Sequence, residues 1–252
     1  MRLPLMQRFA LALPVLAVLG CSDEPSDTGD VSLQLASHNA ESAAEPGTAG
    51  QLVITAGQDE IVLDAVGLVM RKVRLEGPST EPCPEDGEGD SRCGELDFGP
   101  VLFDLPLDNG AEGLVNAAVL IGTYTGLKFQ IHRPTNANED ADFVAEHPEF
   151  DGVSIRALGT FNGEPFTFTT DLTEVNEVAF ENPLEVTVDG ALPLTLLVEV
   201  ADWFADGAGG LVNPSEANDG GPFESLVERQ IRESFRAFHD GDEDGLPDHL
   251  SP

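Results

Sequence analysis

The stretch that most constrains the fold is VSIRALGTFNGEPFTFTTDL, in which Asn162-Gly163 separates two runs of alternating apolar and polar residues. Asn and Gly both tolerate the positive φ values of a type I′ turn, the turn that joins adjacent antiparallel strands. In the second run Phe166 and Phe168 share one face and the threonines share the other, as expected of a strand with one buried face. The stretch therefore predicts a β-hairpin.

Further strand signals extend over residues 31–204. They are the β-branched or alternating stretches VSLQLA, QLVIT, EIVLDAVGLVMRKVRLEG, GPVLFDLPL, GLVNAAVLIGTYTGLKFQIHRP, LEVTV and LPLTLLVEVADWF. About nine or ten short strands separated by turn signals, without alternating helices, indicate two packed sheets. We therefore predict an all-β domain over residues 31–204, an antiparallel β-sandwich with a few short helices.

Helical patterns are few. NEDADFVAEH and NPSEAN each predict a short helix or a single turn. The segment 205–252 is expected to be a helical extension, because PFESLVERQIRESFRAF predicts one amphipathic helix ending at Phe238. Its apolar stripe consists of Leu226, Val227, Ile231, Phe235 and Phe238. We expect this stripe to dock on the sandwich; a groove on a partner protein is the alternative.

Residues 1–20 have the features of a signal peptide. Arg2 and Arg8 supply positive charge, and FALALPVLAVLG is an apolar run too short to span a bilayer. The run ends in VLGC, which resembles the lipobox of bacterial lipoproteins. The resemblance implies cleavage before Cys21, acylation of Cys21 with palmitate-type chains, and a polar tether over residues 21–30. An ordinary cleaved signal peptide is the alternative.

The residue after Cys21 bears on localisation. Ser22 occupies the position where lipoproteins retained on the inner membrane carry Asp. The resemblance therefore implies export to the outer membrane of a bacterial cell envelope, with the acyl chains as the contact with the membrane. Two or three such chains anchor a protein stably, because each buried methylene contributes about 0.8 kcal/mol.

The remaining cysteines, Cys83 and Cys93, flank the acidic stretch PEDGEGDSR. In an oxidising compartment, a disulfide bond closing this short loop is the expected state. Such a loop closure stabilises a fold by about 2–3 kcal/mol. A thiolate metal site is the alternative, although no histidine lies nearby in the sequence.

The charge balance limits the classes of partner. The chain has 46 Asp and Glu residues against 12 Lys and Arg residues, a net charge of −34. A chain of this charge repels nucleic acid and anionic lipid surfaces, and it attracts cations and basic surfaces. We therefore expect no nucleic-acid partner.

The C-terminal stretch DGDEDGLPD predicts a cation site. Counted from Asp240, aspartates stand at positions 1, 3, 5 and 9, with Gly245 at position 6. Calcium takes six to eight hard oxygen ligands around a loop that turns sharply at such a glycine. The stretch resembles EF-hand, dockerin and thrombospondin type-3 calcium loops. The predicted ligands are Asp240, Asp242, Asp244, the carbonyl of Leu246, and Asp248.

The departures from those families predict weak binding. Ser251 stands where an EF-hand carries its bidentate Glu, and Pro247 occupies position 8. We expect a calcium dissociation constant of about 10⁻⁴ to 10⁻³ M, the range of extracellular modules. A solvated acidic tail without a ligand is the alternative. His239 and His249 flank the loop, and histidine suits transition metals better than calcium.

Motifs of catalysis are missing from the sequence. It has no G-x-S-x-G, H-E-x-x-H or P-loop pattern, and Trp203 is expected to fill the core. GPVLFDLPL, GTYTGLKFQIHRP and GTFNGEPFTFTTDL resemble stretches of uncharacterised envelope β-sandwich lipoproteins. We therefore expect a non-catalytic binding or structural module with an envelope protein or glycan as its ligand. A metal-handling or solute-binding protein is the alternative, and a hydrolase is the third.

Overall fold

The computed structural model describes residues 28–37, 44–46, 50–77, 95–96, 99–108, 110–242, 245 and 247–248. Six of the features that the sequence predicts lie outside these residues: the signal peptide, Cys21, Cys83, Cys93, Asp244 and Leu246.

The described residues form thirteen strands and two α-helices. The strands are β1 (Thr28–Ala36), β2 (Ala44–Pro46), β3 (Leu52–Ala56), β4 (Asp59–Glu76), β5 (Glu95–Leu96), β6 (Val101–Asp104), β7 (Ala111–Leu120), β8 (Gly122–Ile131), β9 (Ile155–Phe161), β10 (Glu164–Thr170), β11 (Glu174–Val186), β12 (Leu192–Val198) and β13 (Phe235–His239). The helices are α1 (Ala141–Glu146) and α2 (Glu224–Glu233). Within this described part, no helix is long and apolar enough to cross a membrane.

The strands form two packed sheets, which confirms the predicted all-β sandwich. The first sheet has four strands in the order β13-β12-β1-β7, and the second has nine strands around the long β4. β4 pairs with β3, β6 and β5 along one side and with β9 and β8 along the other. The pairing of β1 with β12 is parallel, and the other strand pairs of the described residues are antiparallel.

Alternating side chains of both sheets build the core. On β1, Val31, Leu33 and Leu35 are buried, as the alternation of VSLQLA predicts. Residues of β4 and β8 face them from the second sheet within one apolar cluster. Trp203 is completely buried in this cluster, and its indole Nε1 donates a 2.9 Å hydrogen bond to Ser234 Oγ. The prediction that Trp203 fills the core is confirmed.

The predicted hairpin is present between β9 and β10. Asn162 and Gly163 have φ angles of 51° and 83°, the positive values that a type I′ turn requires. Phe161 pairs with Glu164 across the turn. The Asn162 side chain also donates to Asp59 Oδ1 (2.9 Å) and accepts from the backbone N–H of Glu60 (2.9 Å). These bonds fasten the hairpin tip to the turn between β3 and β4.

The C-terminal helix is shorter than predicted, because its last residues form a strand. Helix α2 ends at Glu233, and the following residues form strand β13, which pairs with β12. Phe235 and Ala237 are buried at alternate positions, which is the period of a strand. A short strand here supplies backbone partners to β12, which a helix could not do. The acidic loop therefore follows a strand, and the prediction of a helix that ends at Phe238 is wrong.

The opposite end of the domain also begins earlier than predicted. Residues 28–30, which the sequence assigns to a tether, are the start of β1 and pair with residues 118–120 of β7. The predicted turn at NPSEAN is present as a 3-10 helix over Pro214–Glu216, in which Asn213 Oδ1 accepts from the backbone N–H of Ser215 (3.0 Å).

Candidate metal site

Asp240 lies directly after β13 and is completely buried. Its Oδ2 accepts hydrogen bonds from Thr195 Oγ1 (2.6 Å), Gln34 Nε2 (2.9 Å) and the backbone N–H of Gly245 (2.9 Å). Its backbone N–H donates to the carbonyl of Pro193 (3.2 Å). A buried carboxylate requires such donors to offset its desolvation. Asp240 therefore anchors the start of the loop to β1 and β12.

The pairing of β1 with β12 explains where this anchor sits. Gln34 and Thr195 are register partners in the parallel pair. Gln34 alternates with Leu33 and Leu35, and Thr195 alternates with Leu194 and Leu196, all of which belong to the core. Gln34 and Thr195 therefore point away from the core. Asp240, the first residue of the C-terminal loop (defined as residues 240–248), therefore lies on the outer face of the four-stranded sheet, where Thr195 is completely buried.

Gly245 allows the loop to lie close to this sheet. Its φ of +84° is in the left-handed region that favours glycine. A Cβ atom added at Gly245 would lie 3.3 Å from Cβ of Ala36 and 3.6 Å from Cβ of Ala111. The described part of the loop thus contacts β12 and β1 at Asp240, and β1 and β7 at Gly245.

The loop brings three carboxylates together. Asp240, Asp242 and Asp248 each offer one oxygen, and these three oxygens lie within 4.8 Å of one another; Asp242 and Asp248 are exposed. This group, called the aspartate triad below, could hold a metal ion. It contains three of the five ligands that the sequence predicts. The other two, Asp244 and Leu246, lie outside the described residues.

Asp248 is positioned by two further contacts. Its Oδ1 accepts a 2.8 Å hydrogen bond from the backbone N–H of Gly241, and its Oδ2 lies 2.7 Å from His239 Nδ1. The side chains of His239 and Asp248 are both exposed. Three carboxylates at this separation repel one another, and a divalent cation placed among them removes that repulsion. The arrangement is suited to holding a cation at the protein surface.

A second histidine–aspartate pair lies in the loop between β8 and β9. His132 Nε2 is 3.0 Å from Oδ1 and 3.1 Å from Oδ2 of Asp140, and both residues are buried. Asp140 Oδ2 also accepts from the backbone N–H of Thr135 (3.2 Å). The pair fastens this loop to the end of β8. No spacing pattern in the sequence links His132 to Asp140.

The stretch DGAGGL at 206–211 is a turn, closed by a bridge between Ala205 and Leu211. The backbone N–H groups of Gly210 (2.8 Å) and Ala208 (2.7 Å) donate to Asp206 Oδ1. These bonds, that of Gly210 first, hold the pKa of the Asp206 carboxyl below its usual value, because they stabilise its charged form. The Asp206 carboxylate therefore stabilises the turn that contains it.

A small cavity of about 10 Å³ lies between the two sheets. Its lining is apolar and includes Val31 and Leu33 of the first sheet and Val73, Leu75 and Leu127 of the second. A cavity of this volume holds at most about one water molecule. It is therefore a packing gap of the core and cannot admit a substrate.

No family model, no curated protein and no solved structure matches this chain. Its fold class is a β-sandwich, and a fold of this class does not by itself define a function. The aspartate triad is thus the most specific chemical feature of the described residues.

Proposed function

We propose that this protein is a non-catalytic binding or structural module in which calcium fastens the C-terminal loop to the sandwich. The aspartate triad carries this proposal. Asp240 is buried and anchors the start of the loop, whereas Asp242 and Asp248 are exposed at the surface. A cation bound among these carboxylates links the exposed part of the loop to its buried anchor.

The donor set supports calcium as the ion. Carboxylate oxygens are hard ligands of the kind that calcium prefers, and the aspartates keep the register of known calcium loops. The triad supplies fewer oxygens than the six to eight that calcium takes, so loop carbonyls and water would complete the shell. This incomplete set is the reason for a dissociation constant of about 10⁻⁴ to 10⁻³ M.

Calcium should raise the thermal stability of the purified protein. A ligand that binds only the folded state at about ten to one hundred times its dissociation constant stabilises by about 1.4 to 2.7 kcal/mol. For a domain of this size, about 10 mM calcium should therefore raise the unfolding temperature by about 3–10 °C. Differential scanning calorimetry with and without a chelator measures this shift.

The double variant Asp242→Asn with Asp248→Asn should abolish the calcium-dependent shift. The matched control is Asp202→Asn with Asp219→Asn, which removes the same charge from two exposed aspartates outside the loop. The control should retain the shift. An equal shift in both double variants would show that calcium acts on the general acidity of the surface, and the proposed site would be wrong.

The place of action that we propose is the bacterial cell envelope, with lipid attached at Cys21 and the outer membrane as the more favoured location. The lipobox-like VLGC and the polar stretch that follows it support this. The ligand of the module would be another envelope protein or a glycan. No role in catalysis is proposed, since neither the sequence motifs nor the core cavity supplies a reaction centre.

Mass spectrometry of the full chain expressed in a Gram-negative bacterium tests the anchor. The mature protein should begin at Cys21 and carry two or three acyl chains. Cys21→Ser should leave the chain without lipid and release it from the membrane fraction. A mature N-terminus elsewhere, or a Cys21 without acyl groups, would refute the lipoprotein assignment. It would not bear on the proposed calcium site.

A metal-handling role is the second candidate, and the contact of His239 Nδ1 with Asp248 Oδ2 favours it. Imidazole beside carboxylates suits zinc and related transition metals rather than calcium. Titration with zinc distinguishes the two roles, because His239→Gln should weaken zinc binding much more than it weakens calcium binding. A solute-binding or hydrolase role has no supporting contact among the described residues.

A further inference from the structure

The tip of the β9–β10 hairpin carries a residue pair with a chemistry of its own. Asn162 and Gly163 are both exposed, and the backbone N–H of Gly163 donates no hydrogen bond among the residues that the structure describes. An asparagine side chain is open to attack by the backbone nitrogen of the next residue, because the chain holds the two groups close together. A glycine in that next position has no side chain to obstruct the attack.

The reaction is deamidation, and water is its only co-reactant. The Gly163 nitrogen forms a bond to Asn162 Cγ, the bond from Cγ to the side-chain amide nitrogen breaks, and ammonia leaves with the proton of the Gly163 N–H. Water then opens the resulting cyclic succinimide at one of its two carbonyl groups. The product at position 162 is either aspartate or isoaspartate, and isoaspartate carries an additional methylene group in the main chain.

Three hydrogen bonds, called the tip clasp below, hold Asn162 against the turn between β3 and β4. The backbone N–H of Asn162 donates to the carbonyl of Glu60 (2.8 Å), and its Oδ1 accepts from the backbone N–H of Glu60 (2.9 Å). Its Nδ2 donates to Asp59 Oδ1 (2.9 Å). Both polar atoms of the side-chain amide are thus engaged by the neighbouring turn. Movement of Cγ to the Gly163 nitrogen breaks these two side-chain bonds, so the tip clasp opposes the reaction.

The product cannot form the same clasp. An ionised carboxylate only accepts hydrogen bonds, so it has no donor for the Asp59 carboxylate. Two carboxylates at the 2.9 Å separation that the bond now spans repel one another. Glu60 and Glu164, which flank the pair, are exposed acids and add to this repulsion. Isoaspartate also lengthens the two-residue connection on which the type I′ turn depends.

We infer that Asn162 is a deamidation site, that the tip clasp slows the reaction in the folded protein, and that the reaction unfastens the hairpin from the β3–β4 turn. Water does not restore the lost amide, so an opened clasp stays open and the product accumulates as the protein ages. The inference involves neither the C-terminal loop nor Cys21, and it is therefore independent of the proposed calcium site and lipid anchor.

Peptide mapping by mass spectrometry tests the role of the clasp. The full chain is incubated in its folded state at mildly alkaline pH without calcium, and conversion of Asn162 is followed with time. Asp59→Ala removes the acceptor of Nδ2 and should speed the conversion about two- to tenfold, the factor that corresponds to one hydrogen bond. Glu60→Ala is the matched control, because it removes the same charge from the same turn and keeps the backbone N–H that Asn162 accepts. It should react like the unaltered protein, and equal rates in the two variants would overturn the inference.

The same incubation in urea separates the sequence from the structure. The other Asn-Gly pair of the chain is Asn109-Gly110, and it serves as the internal reference. In the unfolded chain Asn162 should convert at a rate similar to that of Asn109 and faster than Asn162 converts in the folded protein. Conversion of Asn162 that is no faster in urea than in the folded protein would mean that the tip clasp does not protect it.

Asn162→Asp tests the consequence of the reaction. Aspartate fits the same turn, so this variant alters the clasp and leaves the turn intact. Its unfolding temperature should lie about 2–6 °C below that of the unaltered protein. The exchange Asp59→Asn with Asn162→Asp moves the donor to the other side of the same bond and should recover most of the loss. An unchanged unfolding temperature in Asn162→Asp, or no recovery in the exchanged pair, would contradict the proposed effect on the hairpin.

Discussion

Replacing Asp240 with alanine should lower the free energy of unfolding by about 2–4 kcal/mol. The substitution removes the acceptor of the Thr195 hydroxyl and of the Gly245 backbone N–H, and both residues are buried. A buried donor left without a partner costs about 1–3 kcal/mol. The loss should appear without calcium, because these hydrogen bonds belong to the protein alone. Urea unfolding monitored by Trp203 fluorescence measures it.

Asp242→Ala is the matched control for this prediction. Asp242 is an exposed member of the same triad, and an exposed substitution changes stability by about 0.5 kcal/mol or less. In the absence of calcium the two variants should therefore differ by at least about 1.5 kcal/mol. Equal stabilities would contradict the view that Asp240 anchors the loop to the sheet.

Replacing Trp203 with alanine should cost about 3–5 kcal/mol, the range for removal of a large aromatic side chain from a core. Trp203 is completely buried beside Phe204, and its Nε1 bonds to Ser234 at the end of α2. Its removal leaves a cavity and frees the junction between α2 and β13. Calorimetry should show a fall of at least about 6 °C in the unfolding temperature.

Trp203→Phe separates packing from hydrogen bonding at this site. It keeps an aromatic ring in the core and removes only the indole N–H and part of the volume. We expect a cost of about 1–2 kcal/mol, of which the lost hydrogen bond contributes about 1 kcal/mol. A cost in Trp203→Phe equal to that of Trp203→Ala would mean that the bond to Ser234, and not the packing, holds α2 in place.

Most of the strands were predictable from the sequence because their signals are local. The hairpin at Asn162-Gly163 depends only on turn chemistry and on the alternation of its own flanking residues. The same holds for β1, whose buried residues alternate strictly. The fold class follows from many such signals, whereas the order of strands depends on long-range pairing that single-strand patterns do not contain.

The strand β13 could not be predicted in this way. Phe235 and Phe238 continue the apolar stripe of α2 at helical spacing, and FRAFH also alternates. Both periods fit these five residues. The backbone of β12 decides between them, because its hydrogen-bonding groups require a partner strand. That requirement arises only in the folded protein.

The aspartate triad was partly predictable. The register of DGDEDGLPD singles out Asp240, Asp242 and Asp248, and the loop brings these three together. The anchoring role of Asp240 was not predictable, since its partners Thr195 and Gln34 lie 45 and 206 residues away in the sequence. A loop pattern gives the ligands of a cation but not the surface on which the loop rests.

The most direct test of the calcium loop is a crystal structure of the protein grown in about 10 mM calcium, at least about ten times the expected dissociation constant. The account predicts one ion at the aspartate triad, with carboxylate oxygens of Asp242 and Asp248 about 2.3–2.6 Å from it. Density for water alone at the triad, or calcium bound only at other acidic surfaces, would contradict it.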